Sequence, residues 1–164
     1  MNKTVLITGG AKGIGRAIAE VLSKKNLNVI VNYNTSEKEA LDLKEKYSNI
    51  EIIKADVTKE DEIKRMLQGK NIDILISNAG INQIKMFQDI TKEDWDNMMN
   101  TNLNSLFNVT REVLPNMLSK KEGCIINISS IWGVIGASCE VHYATSKARN
   151  DWIYKIISKR IRTF

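Results

Sequence analysis

Residues 4–15, TVLITGGAKGIG, constrain the fold of this 164-residue chain more than any other stretch. Thr4 to Thr8 is a short β-branched run, and the segment behind the glycines, RAIAEVLSKK, continues a helical apolar periodicity from Ile14 through Leu22. The spacing predicts a strand, a glycine turn and a helix in immediate succession. Each glycine has a physical reason: Gly9, Gly13 and Gly15 suit a tight turn, a close approach of backbone to a phosphate group, and close packing of helix on sheet. A helix that starts there points free N–H groups and the positive end of its dipole at an anion.

The same alternation runs on. Strand-like runs at Leu27–Tyr33, Asn49–Ala55 and Ile72–Ser77 are separated by helical segments at Ser36–Tyr47 and Thr58–Gln68. Ser36 with Glu39, and Thr58 with Asp61, match a hydroxyl followed three residues later by an acid, the start signal of a helix. A long helix, in one or two parts, is expected from Thr91 to Lys120, then a strand from Cys124 to Ile128. Such alternation implies an α/β fold: a doubly wound parallel sheet covered on both faces, with its ligand at the carboxyl ends of the strands. Repeats, low-complexity segments and linkers are absent from the sequence.

Near the end of the chain, VHYATSKA places Tyr143 and Lys147 one helical turn apart, and Ser130 ends the apolar run CIINISS. Residues at this spacing share a helix face, so the Lys147 ammonium can sit beside the Tyr143 phenol and favour its ionised form. A phenol so placed can protonate a carbonyl oxygen. Taken alone, the same pair also fits the edge of an amphipathic helix.

Together these segments resemble the short-chain dehydrogenase/reductase family. The resemblance rests on TGGAKGIG (Thr8 to Gly15), SNAG (Ser77 to Gly80), NTN around Asn102, ISS ending at Ser130 and YATSK (Tyr143 to Lys147), in the family's order over residues 1–148. Ser77 stands where the family usually has asparagine. The resemblance implies a Rossmann-type nucleotide-binding domain over 1–148 that carries the catalytic residues. It implies that Tyr143 donates a proton to a carbonyl oxygen held by Ser130 while a nicotinamide gives hydride. Lys147 would lower the tyrosine pKa and grip the nicotinamide ribose, and Asn102 would steady a water chain. Strand-end turn chemistry for Ser129 and Ser130, and a helix-kink role for Asn102, are the alternatives.

The cofactor loop implied is Gly9, Lys12, Gly13, Ile14 and Gly15. Asp56 and Val57 would meet the adenine, and Asn78, Ala79 and Gly80 would pass beside the nicotinamide half; turn chemistry before the next helix also suits Asp56. Cofactor choice can be argued from the end of the second strand. A carboxylate there binds the adenosine ribose of NAD and repels the 2′-phosphate of NADP. This chain has Tyr33, followed by Asn34, Thr35 and Ser36, with Lys12 in the loop. NADP is therefore expected over NAD, unless Lys12 is only a solvated loop lysine.

For the substrate, the motifs overall resemble 3-oxoacyl-acyl-carrier-protein reductases of fatty acid biosynthesis. The segment SSIWGVIGASCEVHY, through Trp132, Cys139 and Glu140, resembles elongation factor P 5-aminopentanone reductases, in which Glu140 could pair with a cationic substrate. A small or carrier-bound carbonyl compound and a homo-oligomeric assembly are implied. His142, the single histidine, is expected at the surface or on the substrate side, and not as the base.

Composition restricts the remaining classes. Cys124 and Cys139 form no disulfide framework and no metal spacing, and read as small buried or surface thiols in a reducing cytoplasm. No leader or membrane-spanning stretch is expected, so the chain reads as soluble. The net charge of +5 could suggest a nucleic-acid partner, but nearly all of it lies in 149–164, where five basic residues face only Asp151. That tail, RNDWIYKIISKRIRTF, departs from the family; read one base out of frame under permissive codon choice it gives EMIGFTKSLAKEL, the helix the family would have. An aberrant, frameshifted tail over 149–164, a missing C-terminal part, and a reading of the chain as a truncated, non-catalytic nucleotide-binding fragment are accordingly expectations of the sequence.

Overall fold

The computed structural model describes residues 2–161. Five strands, β1 (Thr4–Ile7), β2 (Asn28–Tyr33), β3 (Ile50–Lys54), β4 (Ile74–Ser77) and β5 (Cys124–Asn127), form one parallel sheet in the order β3-β2-β1-β4-β5. The register pairs Leu6 with Ile30 on one side and with Leu75 on the other. Helices α1 (Gly13–Ser23), α2 (Glu37–Lys46), α3 (Glu60–Leu67), α4 (Lys92–Met99), α5 (Ser105–Lys120), α6 (Trp132–Ile135) and α7 (Val141–Ile161) connect and follow them. The expected doubly wound fold is present, with strand ends trimmed by one or two residues.

Strand residues alternate between two cores because successive side chains point to opposite faces. Val5, Ile7, Val29 and Val31 pack with Ala19, Ala40 and Leu43 from α1 and α2. Leu6, Ile30 and Leu75 pack with Ile63 of α3 and Val109, Val113 and Met117 of α5. Helix cover on both faces explains why these strands read as unbroken apolar runs. The order of the sheet reverses between β1 and β4, and that switch point opens the crevice where ligands of such folds bind.

The expected start at Ser36 is met, as the N-cap of α2, and the one at Thr58 is corrected. Ser36 makes no side-chain cap hydrogen bond. Thr58 does not cap α3; Asp56 Oδ1 takes both its N–H, at 2.9 Å, and its hydroxyl, at 2.8 Å, and α3 begins after Lys59. A full capping box sits instead at Thr91 and Asp94, ahead of α4. The long helix from Thr91 does divide: a π-helical turn, Asn100–Asn104, separates α4 from α5.

The expectation of an aberrant tail over 149–164 falls partly outside the described residues; within them α7 continues to Ile161. Among the described residues no helix is long and apolar enough to cross a membrane.

Candidate active site

The turn between β1 and α1 is built from the glycines. Gly9 has φ +61° and Gly13 φ +57°, backbone that side chains rarely adopt. Thr8 Oγ1 accepts from the N–H groups of Asn78 and Ala79 at 3.0 and 3.1 Å, and Asn78 Nδ2 donates to Thr8 O and Gly9 O, each at 3.0 Å. The Asn78 side chain therefore ties the glycine turn to the end of β4. Asn32, fully buried, does the same from β2: its Nδ2 donates to Ala55 O at 2.9 Å, its Oδ1 accepts from Gly9 N at 3.3 Å, and its carbonyl accepts from Gly10 N at 2.9 Å. Sequence reasoning passed over Asn32; its signal was a polar residue inside the buried run NVIVNY.

One cleft lies over the ends of β1, β2 and β3. Of the expected cofactor residues, Gly9, Lys12, Tyr33, Asn34, Asp56, Val57, Ala79 and Gly80 line it, together with Thr35 and Ser36. Gly13, Ile14 and Gly15 form the first turn of α1, whose N-cap residue, Lys12, offers no side-chain cap. An uncapped N-terminus leaves backbone N–H groups for an anion. Nothing lies within 4 Å of where a Cβ on Gly13 would be, so that approach is open. Tyr33 is buried at the strand end, and Lys12 and Asn34 are exposed at the rim. These residues fit a dinucleotide.

Tyr143 and Lys147 lie on α7, and Lys147 borders that cleft at Gly80, where an added Cβ would sit 3.6 Å from its Nζ. Lys147 is 5 % exposed; its Nζ donates to Ile128 O at 2.9 Å and lies 5.8 Å from the Tyr143 ring centre. Ser129 Oγ donates to Lys147 O at 3.4 Å, which engages its proton. Ser130 Oγ accepts from Trp132 N at 3.3 Å and, among the described residues, donates to none. The two serines at the end of β5 are thus distinguished: the first anchors the helix, the second has a hydrogen to offer. Gly133, missed in the sequence, lets α6 press on α7, since a Cβ there would sit 2.9 Å from Lys147 C and Ala148 N.

Asn102 occupies the π-turn and is 1 % exposed. Its Nδ2 donates to Ile81 O at 2.9 Å and to Ser146 Oγ at 3.0 Å, and its Oδ1 accepts from Ile81 N at 2.8 Å. Asn102 therefore clamps the segment after β4 to α7. A small chamber of mixed lining lies between them, with Ser77, Asn102, Lys147 and Asn150 beside Val57, Leu106, Val109 and Ile128. Ser77 Oγ is buried there without a partner among the described residues.

His142 corrects an expectation. It is 0 % exposed, not at the surface, because its ring turns inward to Gln83 in the segment after β4. Burial is the main cause of a pKa below the usual 6.5, with Asp94 and Glu140 acting upward and Lys85 downward.

Comparison with known proteins agrees with this geometry. The family model described as short chain dehydrogenase matches residues 3–158. An uncharacterized oxidoreductase of Bacillus subtilis is 35% identical over 168 residues, covering 98% of this chain and 69% of that protein. A 3-oxoacyl-[acyl-carrier-protein] reductase of Staphylococcus epidermidis is 38% identical over 157 residues, covering 90% of this chain and 64% of the relative. The chain thus spans about two thirds of the length of the curated relatives it matches. A crystal structure of a short-chain dehydrogenase from Streptomyces avermitilis superposes with a TM-score of 0.93 at 27% identity, over 99% of this chain and 62% of that one.

Proposed function

The chain belongs to the short chain dehydrogenase family, and from that membership we propose that it serves an NADP-dependent reduction of a carbonyl to an alcohol. Gly9, Gly13, Ile14, Gly15 and the N-terminus of α1 would hold the phosphates, and Lys12 with Asn34, Thr35 and Ser36 the 2′-phosphate. Asp56 and Val57 would meet the adenine, Asn78 to Gly80 the nicotinamide half, and Tyr143 and Lys147 the nicotinamide ribose. When bound, the cofactor supplies hydride to the carbonyl carbon.

The chain's own residues supply the proton and its control. Ser130 donates a hydrogen bond to the carbonyl oxygen, which orients it. Tyr143 gives its phenolic proton to that oxygen, leaving a phenolate that Lys147 stabilises as a nearby cation. The observation that carries this reading is the shared placement of Tyr143 and Lys147 on α7, with the Lys147 ammonium 5.8 Å from the Tyr143 ring centre and bonded to Ile128 O, two residues before Ser130.

The substrate favoured by the relatives is a 3-oxoacyl thioester. One observation favours a second substrate. Glu140 Oε2 is buried without a partner among the described residues, just ahead of Tyr143, and a ketone bearing a primary amine, as on a modified lysine, would complete it. The test is NADPH-dependent reduction of an acetoacetyl thioester and of an amino ketone. Tyr143→Phe is expected to lower turnover roughly 10²–10⁴-fold with cofactor binding retained. Near-unchanged turnover in that variant contradicts the assignment of the acid. Cofactor binding with no turnover in the unchanged chain supports the non-catalytic nucleotide-binding reading.

A further inference from the structure

Behind Tyr143 and Lys147, α7 carries a second row of side chains. His142, Ser146 and Asn150 recur at four-residue spacing and are all buried, so they form one polar stripe on the helix. Ser146 Oγ accepts from Asn102 and donates to Tyr143 O at 2.7 Å. His142 reaches the segment after β4, where its Nε2 lies 2.9 Å from Gln83 Oε1. Gln83 Nε2 donates to Asp94 Oδ1 at 2.9 Å, and Asp94 Oδ2 accepts from Lys85 Nζ at 2.5 Å and from Thr91 N at 2.9 Å.

The proton positions in this relay follow from its acid end. The Lys85 ammonium, then Gln83 and Thr91, hold the Asp94 carboxyl far below the usual carboxylate range, so it is ionised and only accepts. Gln83 must then turn its amide nitrogen to Asp94 and its oxygen to His142. That oxygen needs a donor, so Nε2 of the ring is protonated and, in the neutral ring, Nδ1 is bare. Nδ1 is indeed buried with no hydrogen-bond partner among the described residues.

Two contacts fix what one cannot. The His142–Gln83 and Ser146–Asn102 bonds lie about 6 Å apart along the helix axis at 1.5 Å per residue, and both lead to the segment that carries Ala79 and Gly80. Lys85 N adds a third tie, donating to Cys139 O at 2.7 Å just before the helix. We propose that His142 is a positioning residue: held as its Nε2–H tautomer by Gln83 and Asp94, it sets the rotation of α7 against the segment after β4 and thereby the place of Tyr143 and Lys147. The inference rests on the reading of the chain as a carbonyl reductase.

The chain has one histidine, so the protein labelled with ¹⁵N-histidine gives a single imidazole signal. Long-range ¹H–¹⁵N spectra of the 164-residue chain are expected to show a protonated Nε2, a bare Nδ1 and a titration midpoint below 6.5; Gln83→Leu should allow both tautomers. A protonated Nδ1, or free tautomer exchange in the unchanged protein, overturns the inference whatever the turnover. In the reductase assay, His142→Phe is expected to lower kcat at least tenfold with NADPH affinity within twofold, and His142→Gln, which restores a donor at the ε position, should recover most of the loss. If both variants melt as the unchanged chain does and His142→Phe turns over normally, the positioning role is refuted. If His142→Phe does not fold, failure of the folded His142→Gln to exceed Gln83→Leu in kcat refutes it equally. Absence of turnover in the unchanged chain counts against the reductase reading and, since nothing is then positioned, against this role, whereas the tautomer itself is read independently of activity.

Discussion

Gly15 has the least room of the residues in the glycine turn. A Cβ there would lie 2.5 Å from Asn78 Nδ2, 2.7 Å from Gly9 O and 2.9 Å from Gly10 Cα, and two of those atoms are backbone that cannot swing aside. Gly15→Ala is expected to destabilise the fold by about 1–3 kcal/mol, as overpacking does, and to loosen the turn that Asn78 holds. Urea unfolding checks it; an unchanged midpoint contradicts the packing reason. His142 gives a pH prediction. Its pKa is lowered in the folded chain, so folding is undiminished above about 6.5 and loses stability as pH falls from there toward the folded value, where the unfolded chain takes up a proton that the native one refuses. Stability curves of the unchanged chain and His142→Gln should diverge in that window; parallel curves would contradict the burial argument. At this scale the residues with chemical signatures were legible: the glycines, Ser130, Tyr143 and Lys147 stood out by spacing. Asn32, Gln83 and the inward face of His142 did not, because their partners lie far away in the chain and a polar residue gives no periodic signal of the contact that buries it.

Among the elements, the break between α4 and α5 shows how a motif is positioned. Asn97, Asn100, Asn102 and Asn104 crowd one stretch, and asparagine competes with the helical backbone for hydrogen bonds. The helix widens into a π-turn there, and Asn102 is delivered to Ile81 and Ser146. Pro115 interrupts α5 less, because its face is exposed and the carbonyl it leaves unpaired can be hydrated. The start signal at Ser36 marks the N-cap of α2, whereas that at Thr58 misled because the pattern records only residue types: Asp56 outcompetes the helix for Thr58, and Glu62 Oε2 takes the Asp56 N–H at 2.7 Å. The same pattern succeeds at Thr91, where Thr91 Oγ1 accepts from Asp94 N at 3.1 Å. Thr91→Ala is expected to cost about 1 kcal/mol and, since Asp94 also holds Gln83, to broaden the His142 imidazole signal. A full-stability variant with an unperturbed imidazole contradicts the coupling.

At the scale of the whole molecule, the architecture was legible because buried parallel strands and two-sided helix cover leave an unmistakable alternation of apolar runs and amphipathic segments. The strand order is what the alternation alone leaves open, and the order places the switch point between β1 and β4, beside the glycine turn. Around it Lys12, Tyr33 and Asn34 to Ser36 gather at one cleft with no carboxylate at the end of β2. The proposal that this cleft accepts a dinucleotide with a 2′-phosphate is tested by a parallel titration of the chain with NADPH and NADH, followed by nicotinamide fluorescence. Tighter NADPH binding is expected, with that advantage lost in Lys12→Ala and a shift toward NADH in Tyr33→Asp; NADH binding as tight as or tighter than NADPH by the unchanged chain would contradict the proposal.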